Sequence, residues 1–172
     1  MSDKPERLWA PWRLEYIRSS VKTPGECFLC AADSAGKDRE RLVLHRQNGS
    51  LSMMNLYPYN NGHLLIAPQR HVGELDDLSL DELTSLFTHV RRATGWLKKA
   101  YNPDGFNIGI NVGRVAGAGV PDHLHVHIVP RWNGDVNFMP VIGFTKVVSE
   151  GLQSSWDILH RVITEELEGD GV

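Results

Sequence analysis

The chain has 172 residues, the size of one domain with a proper core, and its 41% hydrophobic and 23% charged residues exclude a disordered polymer. Against 21 Asp and Glu stand 18 Lys and Arg, a formal charge of −3 that excludes the global positive field needed to hold duplex nucleic acid. The longest apolar run, Leu64–Pro68, is far below the roughly 20 residues of a membrane span, and the charged Met1–Arg7 is unlike a signal peptide, so a cytoplasmic protein with no membrane and no nucleic-acid partner is expected.

No internal repeat or linker divides the chain, which reads as a single domain over 1–172: an N-terminal arm over 1–24, a core over 25–132 and an extension over 133–172. The arm carries Leu8–Arg13, aromatic through Trp9 and Trp12 and closed to a long helix by Pro11. A short helix is expected around Cys27–Ala32, and the polar run Ser34–Arg39 reads as a loop. Three β-rich segments follow at Arg41–Arg46, Leu51–Asn55 and His63–Pro68; Asn48-Gly49 between the first two is a hairpin signal. Leu80–Tyr101 is the strongest helix, with Leu80, Leu83, Phe87, Val90, Thr94 and Leu97 at spacings of three or four and Ser79 and Glu82 as a capping box. Phe106–Asn111 alternates as a fourth strand and His123–Val129 as a fifth, with a glycine-rich loop from Val112 to Gly119 between them and a closing helix near Leu152–Leu167. The order predicts an α+β fold: a mainly antiparallel five-stranded sheet, one long central helix, a C-terminal helix, and helices on one face.

Three of the eight histidines fill alternate positions in His123-Leu124-His125-Val126-His127, a pattern with only about a 2% chance anywhere in a chain of this composition. On a strand the period is two, so the three imidazoles share one face at intervals of about 6.7 Å while Leu124, Val126 and Ile128 face the core. Histidine titrates near neutrality, so one ring can be a neutral nucleophile while its neighbour protonates a leaving oxygen. Phosphorus chemistry suits such a row, because imidazole attack gives a phosphoramidate that is readily displaced again. Gly113–Gly119 just upstream could aim backbone N–H groups at phosphate oxygens. Zinc ligation by the His-x-His pattern and an inert polar face are the alternatives that spacing leaves open. Cys27-x-x-Cys30 is a weak metal signal by itself, and His45, His89 and His160 read as structural or solvated. Trp96 reads as packing, Trp9, Trp12 and Trp156 as cover for the sheet or a subunit contact, and Arg114, Arg131 and Lys146 are candidate contacts for distal phosphates.

The run His-φ-His-φ-His-φ-φ, with φ apolar, resembles the signature of the histidine triad (HIT) family of nucleotide hydrolases and transferases, complete in this chain. Asn55 and Gly62–His71 resemble the nucleotide-pocket strand and the strand after it, and the likeness runs from Cys27 to Trp132. Asn60–His63, Gly117–Gly119, Pro130–Asp135 and Asn137–Pro140 look like the diadenosine tetraphosphate phosphorylase-like branch. The resemblance implies that His125 is the nucleophile, that His127 contacts phosphate and protonates the departing oxygen, that His123 orients the row, and that His63 supports it. It implies substrate contacts from Asn55 at the ribose, from Asn111, Gly117, Gly119 and Val120 near phosphate, and from Trp132 at the channel. Asn55 stands where the family usually has an acid, and Gly119-Val120 where many relatives have Gln-Ser or Gln-Thr. Some relatives bind a structural zinc through a similar set, here Cys27, Cys30, His71 and His123. The implied activity is cleavage of dinucleoside polyphosphates, diadenosine tetraphosphate first, through a nucleotidyl-histidine intermediate, with inorganic phosphate or water as acceptor; a phosphorylase would release ADP and ATP. An adenosine phosphoramidase and a nucleotide-binding regulator with little turnover are the competing readings. No organic cofactor is implied, and a homodimer is expected by resemblance.

Overall fold

A computed structural model describes residues 27–33, 36–135, 148 and 150–170. The arm with Trp9 and Trp12, the stretch Asn137–Pro140 and Lys146 lie outside the described residues. In chain order the elements are α1 (Phe28–Asp33), α2 (Asp38–Arg41), β1 (Val43–Gln47), β2 (Ser50–Met54), β3 (Leu64–Pro68), α3 (Leu80–Tyr101), β4 (Gly105–Ile110), β5 (Val126–Arg131) and α4 (Leu152–Asp170). The strands form one sheet in the order β1-β2-β3-β5-β4, with every pair antiparallel.

The β1–β2 hairpin turns on Asn48 and Gly49, at φ of 46° and 74°, because a turn with both central residues in the left-handed region matches the strand twist. The register shifts between Val43 and His45. Leu44 joins the helix-side core, and His45 meets the Trp96 ring with centroids 5.7 Å apart. The long helix has the bounds expected from sequence, and its Ser79–Glu82 capping box is formed in both directions. Its buried stripe is rotated from the expected one: Leu86, His89, Val90, Ala93, Trp96 and Leu97 face inward, while Leu80 is 78% and Phe87 46% exposed. The spacing of Leu, Val and Phe alone does not register this stripe, because two of its members are His89 and Trp96, residues that count ambiguously in an apolar pattern.

The sheet has two covered faces. Leu64, Ile66, Leu124, Val126 and Ile128 pack against α3 and α4, while Leu65 and Ala67 of β3 pack with Val43, Leu51 and Met53 against Leu29 and Ala32 of α1. Helices thus lie on both faces rather than one, since strands that are apolar on both sides need cover on both. Trp156 closes α4 onto β1 by donating its indole N–H to the Val43 carbonyl at 2.8 Å. Trp96, fully buried, donates to Glu166 at 2.9 Å. Part of the expected Ser34–Arg39 loop is helical, because Asp38–Arg41 forms one turn whose Asp38 receives Arg46 at 2.8 Å. Among the described residues no helix is long and apolar enough to cross a membrane.

Candidate active site

The histidine face is the sheet face opposite α3. His127 pairs with Leu65 on one side and Gly109 on the other, so it inherits the direction of the α1-side residues. A Cβ built at Gly109 would meet no atom within 4 Å, which leaves the space beside His127 open. The fifth strand begins later than expected: pairing starts at Val126, and His123 and His125 lie on the approach to it. They are held by other bonds, with Leu124 N–H on the Val72 carbonyl at 2.6 Å and His123 N–H on the Val120 carbonyl at 3.4 Å. Alternation survives, because Leu124 and Val126 still enter the helix-side core.

His63 comes from the turn before β3, and Gly62 makes that turn possible. It sits at φ 69°, and a Cβ there would come within 3.0 Å of Leu97 and Tyr101. The hairpin of β2 and β3 and the β3–β5 pairing then place His63 Nε2 at 3.0 Å from His127 Nδ1, across 64 positions of sequence.

Backbone groups settle where each ring proton sits, since an N–H can only donate and a carbonyl can only accept. Tyr59 N–H donates to His63 Nδ1 at 3.0 Å, so neutral His63 carries its proton on Nε2 and donates it to His127 Nδ1. Neutral His127 then has its own proton on Nε2. His125 donates from Nδ1 to the His123 carbonyl at 2.8 Å, which leaves the His125 Nε2 lone pair unprotonated. The two rings meet edge to face, with centroids 4.9 Å apart. The Tyr59 ring lies over His127 at 6.0 Å and 18°, and against His63 at 4.7 Å. Burial holds the His125 imidazole below its ordinary value, opposed by the bond to the His123 carbonyl. A lone pair on one ring and a proton on the next can therefore coexist near neutral pH, the arrangement that nucleophilic displacement with protonation of a leaving group requires.

His123 points elsewhere. Its Nε2 donates to the Pro68 carbonyl at 2.8 Å, which turns the Nδ1 lone pair toward Cys27 Sγ at 3.2 Å and Cys30 Sγ at 3.5 Å. His71 Nδ1 lies 3.2 Å from Cys30 Sγ, and one ligand atom from each of these four residues falls within 4.8 Å of the others. The N-to-S edge of a Cys₂His₂ zinc tetrahedron is about 3.5 Å, close to the three N-to-S distances here, so the donor types and spacing suit such an ion. The Pro68 carbonyl supplies the outer hydrogen bond that metal-bound histidines use to fix their tautomer. Burial lowers His123, and desolvation with the adjacent Cys27 sulfur raises the Cys30 thiol; a bound cation opposes protonation at both.

The remaining expected residues are placed as follows. Asn55 follows β2 and is half-buried, its Oδ1 accepting Tyr57 N–H at 3.0 Å and its Nδ2 at 3.3 Å from His63 Nδ1. Asn111 lies one residue beyond the Ile110–Val126 pair, at the end of the β4–β5 ladder. Gly117 closes a turn by donating to the Arg114 carbonyl at 3.0 Å, and Gly119 and Val120 are half-buried on the approach to His123. Trp132 follows β5, its N–H 3.3 Å from Asp135. Arg131 is held by Asp135 through both oxygens, at 2.6 and 2.8 Å, and by Asn107 at 2.8 Å, which ties its guanidinium within the protein. His160 stacks on Trp156 at 4.4 Å, and His89 is buried under β2 with Nδ1 on Ser50 at 2.8 Å. Sequence reasoning missed Tyr59 and Pro68, which act through backbone atoms that no side-chain pattern reveals.

Comparison with known proteins gives a match to the HIT domain model over residues 37–134. The chain is 38% identical over 165 residues to a protein of Mycobacterium tuberculosis named AP-4-A phosphorylase, covering 91% of this chain and 84% of that one. It is 45% identical over 128 residues to the bis(5'-nucleosyl)-tetraphosphatase [asymmetrical] of Schizosaccharomyces pombe, covering 74% and 68%. Among solved structures, a hypothetical histidine triad nucleotide-binding protein from Sulfolobus tokodaii strain7 superposes with a TM-score of 0.63 at 28% identity, over 83% of this chain and 93% of that one.

Proposed function

Since the chain belongs to the HIT domain family, in its diadenosine tetraphosphate phosphorylase-like branch, we propose that it cleaves dinucleoside polyphosphates by nucleotidyl transfer to His125. The observation that carries this reading is the hydrogen bond from His125 Nδ1 to the His123 carbonyl, which leaves Nε2 of the neutral ring as a lone pair, with the His127 ring edge to face against it. His125 Nε2 attacks the α-phosphorus of diadenosine tetraphosphate. The bond from that phosphorus to the bridging oxygen breaks, and His127 Nε2–H supplies the proton to the oxygen that departs as ATP. The adenylyl-imidazole then yields to inorganic phosphate, releasing ADP, or to water, releasing AMP. His63 hands its Nε2 proton toward His127 Nδ1 and so keeps the donor of His127 facing the leaving group. Asn55, Asn111, Gly117, Gly119, Val120 and Trp132 are assigned to the nucleotide.

Cys27, Cys30, His71 and His123 would hold a structural zinc, and with all four donors engaged they would tether α1 to the approach of β5. The exposed edge of β4, where Ile108 is 48% exposed, is assigned to a second copy of the chain.

The test is incubation with diadenosine tetraphosphate, with and without phosphate, followed by separation of the nucleotides. ADP that depends on phosphate is the expected result, and AMP irrespective of phosphate makes the enzyme a hydrolase. Absence of turnover in both conditions overturns the reading.

A further inference from the structure

Two segments far apart in sequence, Asn60–His63 and Pro130–Asp135, meet at the end of the sheet. The β3–β5 ladder stops at the Leu64–Ile128 pair, so His63 sits one residue beyond its support. Successive carbonyls of a strand face opposite sides. That of Arg131 accepts Asp104 N–H at 2.9 Å on the β4 side, which turns the Pro130 carbonyl toward the side where β3 has not yet begun. The Asn60 side chain stands in for the missing strand. Its Nδ2 donates to the Pro130 carbonyl at 3.0 Å and to Asp135 Oδ2 at 2.8 Å, and its own backbone carbonyl accepts His63 N–H at 3.2 Å. Asn60 and the Asp135 side chain are each only 7% exposed. Asp135 Oδ2 also accepts Arg131 Nε–H at 2.6 Å and Trp132 N–H at 3.3 Å, while Oδ1 accepts from Arg131 Nη2 at 2.8 Å.

We infer that Asp135 is a positioning residue of the reaction: through the Asn60 amide it clamps the turn that carries His63 to the end of β5, and so holds His63 Nε2 in line with His127 Nδ1. That this proton path ends at a leaving oxygen rests on the preceding reading; the clamp itself does not. His127 belongs to β5 and His63 to the turn, so their 3.0 Å contact lasts only while turn and strand keep one spacing. The Pro130 carbonyl fixes one proton of the Asn60 amide, and Asp135 fixes the other, which sets the plane of the amide. A carboxylate suits the place because both of its oxygens accept, and each has donors to satisfy. An amide at position 135 has one acceptor. Turned toward Asn60 it presents N–H to the Arg131 fork, and turned the other way it presents N–H to Asn60.

The experiment uses the full chain, as wild type, Asn60→Ala, Asp135→Asn and the double variant. With diadenosine tetraphosphate each single variant is expected to lower kcat/KM by about tenfold, and with an adenylyl ester of an acidic phenol, whose leaving group needs no proton, by less than about threefold. A general loss of structure would lower both substrates alike. Because Asp135 acts through Asn60, the double variant should fall within about twofold of Asn60→Ala alone rather than at the product of the two losses. Nitrogen-15 spectra read the clamp directly. The scalar coupling across the bond from His63 Nε2–H to His127 Nδ1 should be resolved in the wild type and weaker in both single variants, and the Asn60 side-chain protons of the wild type should exchange slowly with solvent. Equal losses with the two substrates, multiplying losses in the double variant, or a coupling unchanged by both substitutions overturns the inference. Should a variant fail to fold, fast exchange of the Asn60 amide in the wild type overturns it as well. If the wild type turns over no dinucleotide, the functional reading fails and the spectra still decide the clamp.

Discussion

Two groups of histidines lie on opposite faces of one sheet, and both are shifted by burial in the same direction. On the open face, burial lowers His125 and His123; on the helix face, it lowers His45 and pushes His89 down to about 3. What separates them is the direction of their hydrogen bonds. Each ring in the first group is aimed by a backbone atom or by a neighbouring imidazole, and the group borders an open space. His89 instead donates to Ser50, whose own hydroxyl donates to the Gln47 carbonyl at 2.8 Å, and its ring is wedged edge-on between His45 and Trp96. Depressed basicity therefore marks enclosure on both faces, while aimed lone pairs beside open space set apart the face proposed to carry the reaction.

The largest expected effect breaks the contrast at its centre. His125→Ala should lower turnover of diadenosine tetraphosphate by about 10⁴-fold or more while nucleotide binding survives, and mass spectrometry of quenched mixtures should find no adenylylated protein. His127→Gln should cost about 10²–10⁴-fold, and the loss should shrink with an adenylyl ester of an acidic phenol, which leaves without protonation. An equal loss with both substrates would remove the acid role. Cys30→Ser should abolish stoichiometric zinc by elemental analysis and lower the melting temperature by on the order of 5 °C, about 2 kcal/mol for a chain of this size.

The smallest effect belongs to the enclosed face and concerns stability alone. His89 has a folded value of about 3 against an ordinary 6.5, so between those values the unfolded chain binds the proton that the folded one refuses. Its contribution is complete above pH 6.5 and declines as pH falls toward 3, by at most about 1.4 kcal/mol per pH unit. Denaturant titrations of His89→Leu should show a flatter dependence between pH 6.5 and 4.5, with kcat unchanged. Glu166, held down to about 2 by Lys99, Trp96 and Arg92 against its own burial, gives a separate loss that begins only below 4.5. A His89→Leu profile as steep as the wild type would assign the acid loss to other groups.

Much of this was legible before folding was considered. The bounds of α3 follow from its capping box and from Asn102-Pro103 after it, local signals that act within a turn or two. The hairpin at Asn48-Gly49 and the alternation from His123 to Ile128 are local in the same sense. The inward stripe of α3 was less legible, because His89 and Trp96 can lie on either side of a helix. The helical turn Asp38–Arg41 was hidden in a polar run, since its anchor, Arg46, lies on the neighbouring strand.

By itself the sequence determined the order of the five strands and the two long helices, the alternation of the imidazoles with apolar residues and the donor types at Cys27, Cys30, His71 and His123, because side-chain identity and a period of two need no tertiary contact. Only the tertiary structure decided which nitrogen of each ring holds a proton. That choice is made by Tyr59 N–H, Pro68 C=O and His123 C=O, groups common to almost every residue and informative only when folding brings a particular one to a particular ring.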